Sequence, residues 1–219
     1  MEYRSRGYAA DQGRSYGKIE MSARRWRIKL CPGIPVMQAF PALQTFERLN
    51  KFRVLVRGKL IHLDYSVERL PTGYEAATRY DEETTKIIVA LSPETYAGLE
   101  DGNERDRFSS CHEIAHAVLH RVELVRWGQM RHRDLVLHRV REVEHPIFHD
   151  TEWQADTFAG EILVPSGALD LMDESQRNAS FVAHRFEVSG AAARKRLEQY
   201  TKRCEKQREQ SMWQPHGRW

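Results

Sequence analysis

Apolar residues recur at spacings of three and four in two stretches of the chain and alternate with polar ones in others. From Glu104 to Arg121, the residues Phe108, Cys111, Ala115, Val118 and Leu119 fall on one side of a helix. From Thr151 to Val164, the residues Ala155, Phe158, Ala159 and Ile162 do the same. Asp150 or Thr151 is placed to cap that helix and Pro165 to stop it. A shorter helix is expected after Pro41, with Leu43, Phe46 and Leu49 on one face. Arg53 to Val56 alternates like a strand, with Leu60 to Tyr65 as its partner. Tyr74 to Tyr80 and Lys86 to Leu91 flank the polar turn Asp81-Glu82-Glu83-Thr84 and read as a hairpin. Ser92-Pro93 opens a short loop or helix. Val122 to Asp150 is rich in His and Arg, has no steady period, and reads as a loop with one helical piece. Helices over Ala179 to Phe186 and Ser189 to Thr201 complete an α+β pattern without internal repeats.

The pattern divides the chain. Residues 1–28 are polar and basic and are expected to be disordered. Residues 29–170 form the main domain, 171–203 a C-terminal helical subdomain, and 204–219 a flexible tail. With 41% hydrophobic and 30% charged residues, the chain can bury a core and stay soluble. No run approaches the roughly 18 apolar residues of a membrane span, and the N-terminus lacks the apolar block of a secretory signal. The expected compartment is the cytoplasm. Cys31, Cys111 and Cys204 match no metal or disulfide spacing. A net charge of +3 is too mild to diagnose nucleic-acid binding, and the basic clusters near both ends read as solvated faces.

Residues 112 to 116 read His-Glu-Ile-Ala-His. On a helix His112 and His116 stand one turn apart, so both imidazoles project from one face towards a single metal ion. Glu113 is turned by about 100° from His112. There it can reach a water on the metal and take its proton, once zinc has lowered that water's pKa to about 7. A catalytic zinc usually takes a third protein ligand and leaves one position open. Leu119 and Val122 stand where a metzincin-type Gly and His would be. His120 continues the same face, but as a ligand it would strain tetrahedral geometry; it supports a ligand or sits at the surface. Glu152 opens the second long helix, with Asp156 one turn later on the same face. That pairing points to Glu152 on the metal and Asp156 orienting a ligand histidine. Glu161 is a weaker alternative near the far end of the helix. His145, His149 and Asp150 stay open as substrate-binding groups, surface histidines or caps.

The stretches RFSSCHEIAHAVLH, EWQADTFAGEILVP and FVAHRFEVSGAAARKRL resemble, in this order, three blocks of the ImmA/IrrE metallo-endopeptidases. The resemblance spans roughly Phe52 to Tyr200. It implies a zincin-like fold in which His112, His116 and Glu152 bind zinc and Glu113 is the catalytic acid/base. It also implies a helix-turn-helix repressor as the protein substrate, in a phage, mobile-element or stress-response circuit. No N-terminal DNA-binding domain of the kind many relatives carry is legible, so the repressor is expected to be a separate chain. Two histidines and a carboxylate can hold manganese as well as zinc.

Two other readings compete. Ala179 to Tyr200 has the helix–turn–helix spacing of a DNA-binding regulator, with Arg194, Lys195 and Arg196 available to phosphates. A zinc-bound antirepressor would bind its partner without turnover. Lys86 to Leu91 is a candidate strand for pairing with an extended substrate, beside its plainer reading as an ordinary structural strand. A histidine between Val122 and Asp150 is the expected oxyanion donor.

Overall fold

The computed structural model describes residues 9–10, 12–129 and 146–212. Its strands are β1 (Arg53–Val56), β2 (Lys59–Val67), β3 (Ala76–Asp81) and β4 (Lys86–Leu91). Among the described residues they form one sheet in the order β1-β2-β4-β3. β1 and β2 are joined by a two-residue turn, Arg57-Gly58, with φ of 47° and 82°. Both residues are left-handed, as the tightest hairpins require, and Gly58 takes that conformation without strain. β3 and β4 form the expected hairpin, closed at Asp81 and Lys86. β4 also runs parallel to β2, from His62 opposite Lys86 to Val67 opposite Leu91. It is therefore an interior strand with both edges paired. That corrects its candidacy for strand addition, and its buried Ile87, Val89, Ala90 and Leu91 fit a central strand.

The helices are α1 (Tyr16–Leu30), α2 (Ala42–Phe46), α3 (Pro93–Glu100), α4 (Glu104–Leu119), α5 (Arg121–Gln129), α6 (Thr151–Leu163), α7 (Ser166–Leu171), α8 (Ala179–Phe186) and α9 (Gly190–Met212). α4 begins at Asn103, whose side chain accepts from the backbone N–H groups of Arg105 and Asp106, at 2.9 and 3.3 Å. α6 begins at Asp150, whose carboxylate accepts from Trp153 N at 2.9 Å. These caps satisfy amides that the first turn leaves open. α4 packs on α6 and against β3 and β4, so the two long helices and the sheet share one interior.

The N-terminal expectation is overturned from Tyr16 onward. α1 buries Ile19, Ala23 and Leu30 against α6, and Arg27 reaches from it to the carbonyls of Ile162 and Gln38. Charges on its other face make the segment polar on average, although one stripe is buried. Upstream, Ala10 N and Arg14 N donate to the carbonyls of His149 and Phe148, at 2.7 and 2.8 Å. The expected flexible tail is likewise helical as far as Met212. The subdomain boundary at 170/171 does not interrupt the packing. One hydrophobic cluster runs from Ile19 through the sheet to Val182, Phe186, Val188, Ala193 and Tyr200. Each large apolar side chain fully buried in it, such as Phe46, Leu63 or Phe158, contributes about 1.5–3 kcal/mol. No helix among the described residues is long and apolar enough to cross a membrane.

Candidate metal centre

α4 and α6 lie side by side and present the expected residues to each other. His112 Nε2 is 3.1 Å from His116 Nε2. Glu152 closes the triangle, with Oε2 3.3 Å from His112 Nε2 and Oε1 3.4 Å from His116 Nε2. Bonds of about 2.0–2.2 Å in a tetrahedral zinc site separate neighbouring donor atoms by about 3.3 Å. The two carboxylate oxygens each stand at that spacing from one imidazole, and one donor atom from each of the three side chains lies within 4.8 Å of the others, which places the three around a single cation position. Among the described residues this is the one group of three or more His, Cys, Asp or Glu side chains close enough to hold a metal ion.

Both imidazole donors have their own support, and so does Glu113 beside them. His112 Nδ1 lies 3.0 Å from Asp156 Oδ1, so the imidazole can donate there and keep Nε2 for a metal. Asp156 Oδ2 also meets Lys195 Nζ of α9 at 3.3 Å. His116 Nδ1 lies 3.0 Å from His120 Nδ1. His120 is therefore buried behind His116, at 0% exposure, rather than at the surface or on the metal. Glu113 is gripped from the sheet: Thr78 Oγ1 on β3 lies 2.7 Å from its Oε2 and 2.9 Å from its backbone carbonyl.

Charge sharpens the arrangement. Burial pulls His112 down, but its bonds to Asp156 and Glu152 and the charge of Glu113 prevail and push it up to about 10. Burial depresses His116 well below the ordinary imidazole value. Burial, with Arg14 nearby, takes His120 down to about 3. For Glu152, burial is outweighed by the bond to His112 and the charge of His116, which lower its pKa. Glu113 is raised, chiefly by burial. The centre thus holds an ionised Glu152 beside a carboxyl group biased towards accepting a proton.

The alternatives resolve geometrically. Glu161 points away from the centre, where its carboxylate binds Arg196, Ser166 N at 2.7 Å and Ser166 Oγ at 3.0 Å. Asp150 caps α6. His149 Nδ1 lies 3.1 Å from Ala10 O. His145 lies outside the described residues, as does most of the segment expected to supply an oxyanion donor. Cys111 is buried and its thiol is pushed up to about 12, chiefly by burial, as befits an inert core thiol.

Sequence reasoning missed Thr78, Gln154, Lys195 and Arg14. Gln154 left a trace, since an amide beside the apolar stripe of α6 needs buried partners. The other three meet the site only through tertiary contacts.

Residues 67–198 match the family model described as Peptidase_M78, IrrE N-terminal-like domain. That is more than half of the chain, and it contains both helices of the centre. No curated protein matches the chain.

Proposed function

The chain belongs to the Peptidase_M78 family, whose model describes an IrrE N-terminal-like domain, and from that premise we propose that it is a zinc-dependent endopeptidase acting on a separate helix-turn-helix repressor in the cytoplasm. The family implies metallopeptidase-type chemistry. The observation that carries the finer reading is the triangle of His112 Nε2, His116 Nε2 and Glu152 beside the clamped carboxylate of Glu113. These three donors would hold the ion. Two nitrogens and one carboxylate suit zinc, and also suit manganese.

A bound zinc ion would supply Lewis acidity towards a peptide carbonyl and make water a better nucleophile. The protein's own groups do the remaining work. Glu113 takes a proton from the attacking water and returns it to the departing amide nitrogen. Its raised pKa suits a group that must be ionised before attack and protonated after it. Thr78 keeps the carboxylate in place through both stages, because a hydroxyl can donate to it or accept from it. Asp156 keeps His112 turned to the ion. β3 carries Thr78 and, among the described residues, is paired within the sheet on one side alone. An extended substrate adding to that strand would run past Glu113.

The regulator reading is weakened by the same packing. Arg196 is buried against Glu161 and Ser166, and Lys195 meets Asp156. One of the three cations offered to phosphates is thus buried inside the protein, and the more exposed Lys195 already pairs with a carboxylate. The test compares wild type with Glu113→Gln, both loaded with zinc, against purified helix-turn-helix repressors followed by mass spectrometry. Cleavage by wild type alone supports a peptidase. Equal loss of repressor function with both proteins, and no cleavage, would replace it with an antirepressor that binds without turnover.

A further inference from the structure

Through its second nitrogen, His116 connects to a chain of buried hydrogen bonds that ends on the N-terminal segment. His116 Nδ1 is 3.0 Å from His120 Nδ1, and His120 Nε2 is 3.1 Å from Gln154 Oε1. Gln154 Oε1 also accepts from Arg14 Nη1 at 2.6 Å. Gln154 Nε2 donates to the carbonyls of Phe148 and Gln12, at 2.8 and 3.3 Å. Arg14 Nη2 donates to the Leu119 carbonyl at the end of α4, at 2.8 Å. His116, His120 and Gln154 are all buried.

Counting donors along this chain gives one consistent assignment. Two backbone carbonyls require the Gln154 nitrogen, and a guanidinium requires its oxygen, so the amide is fixed with Oε1 facing His120. An amide oxygen can only accept, so His120 Nε2 carries a hydrogen. In a neutral His120 the remaining nitrogen, Nδ1, can then only accept. It accepts from His116 Nδ1–H. The lone pair of His116 is thereby left on Nε2, the atom that faces His112 and Glu152. The opposite tautomer would set two lone pairs against each other 3.0 Å apart and turn an N–H into the metal position.

We propose that Arg14, Gln154 and His120 form a positioning relay that holds His116 in the tautomer able to bind the metal. The inference rests on the metal reading above and extends it to the N-terminal segment. The two ligand histidines are then held differently, His112 by a carboxylate and His116 by a neutral imidazole whose own orientation is set from outside. The relay also ties α4 to α6 on the far side of His116, so the spacing of the ligand-bearing helices and the tautomer are fixed by the same bonds.

The test uses the full chain, stripped of metal and titrated with zinc against a chromophoric chelator. A parallel titration with cobalt reads the ligand set from its visible spectrum. His120→Asn places an acceptor oxygen at the bonded position of Nδ1, and His120→Leu has the same size without an acceptor. The relay predicts a tenfold to hundredfold weaker zinc affinity and an altered cobalt spectrum for His120→Leu. His120→Asn should recover most of both. Gln154→Met, which removes the other acceptor, should weaken zinc about tenfold. Circular dichroism of the metal-free proteins checks the fold, and if the His120 variants fail it, Gln154→Met decides alone. Equal affinities for Asn and Leu, whether both normal or both reduced, would overturn the relay, as would wild-type affinity in Gln154→Met. A wild-type chain that takes up no zinc would sink the metal reading itself and the relay with it.

Discussion

His112 and Asp156 face each other across two helices at 3.0 Å, imidazole Nδ1 to carboxylate Oδ1, while the other ring nitrogen of His112 faces Glu152. The carboxylate fixes the ring's orientation and strengthens Nε2 as a donor. Asp156→Ala is therefore expected to weaken zinc binding tenfold to hundredfold without abolishing it. Competition titration against a chelator measures this. Unchanged affinity would show that α4 alone orients the ring.

Zinc uptake should release protons. Without metal, His112 is pushed up to about 10, so at pH 7 it carries a proton that a cation at Nε2 must displace. Affinity should then rise with pH up to about 10, and calorimetry in buffers of different ionisation enthalpy should find close to one proton released at pH 7. The metal-free fold carries the opposite dependence. His112 binds its proton more tightly folded than unfolded, so this stabilisation is full below its ordinary value of 6.5. It fades as pH rises through about 10.

The pair Arg196 and Glu161, 2% and 3% exposed, is structural rather than metal-binding. Burial raises the pKa of Glu161 even against the charge of Arg196. Removing one partner leaves an unpaired charge in the interior, so Arg196→Met should destabilise the fold by about 3–5 kcal/mol. Urea unfolding reads the loss. Zinc stoichiometry should persist under conditions where the variant stays folded.

The thiols should separate by reactivity. Cys111, buried with its pKa at about 12, should resist alkylation in the native protein at pH 8. The partly exposed Cys31 and Cys204 should react. Mass spectrometry of the alkylated peptides distinguishes them, and rapid modification of Cys111 would mean that the α4 interior opens.

What could be read in advance followed from local geometry. His112 and His116 share a helix face by spacing alone, as do Glu152 and Asp156, and the apolar stripes of α4 and α6 turn those faces towards each other. Strand limits were legible where burial alternates, as in β1. The parallel pairing of β4 with β2 was not, because no short-range signal chooses which neighbour a strand takes. α1 was hidden by its charged face, although Ile19, Ala23 and Leu30 lie on one helical stripe, with Arg27 buried among them. His120 was placed one turn beyond the ligands but could not be assigned there. Its partner Gln154 lies 34 residues away and Arg14 lies 105 residues before the carbonyl it caps.

A zinc ion held by His112, His116 and Glu152 would appear in the metal content of the purified protein. Purified wild type, Glu152→Ala and His116→Ala would be measured by elemental analysis after exposure to zinc and removal of the excess. Glu94→Ala, an exposed acid in the first turn of α3, serves as the control. About one zinc per chain is expected in wild type and control, with a large loss in the other two. No zinc in wild type, or zinc retained in full by both Glu152→Ala and His116→Ala, would mean that these three residues are not the metal site.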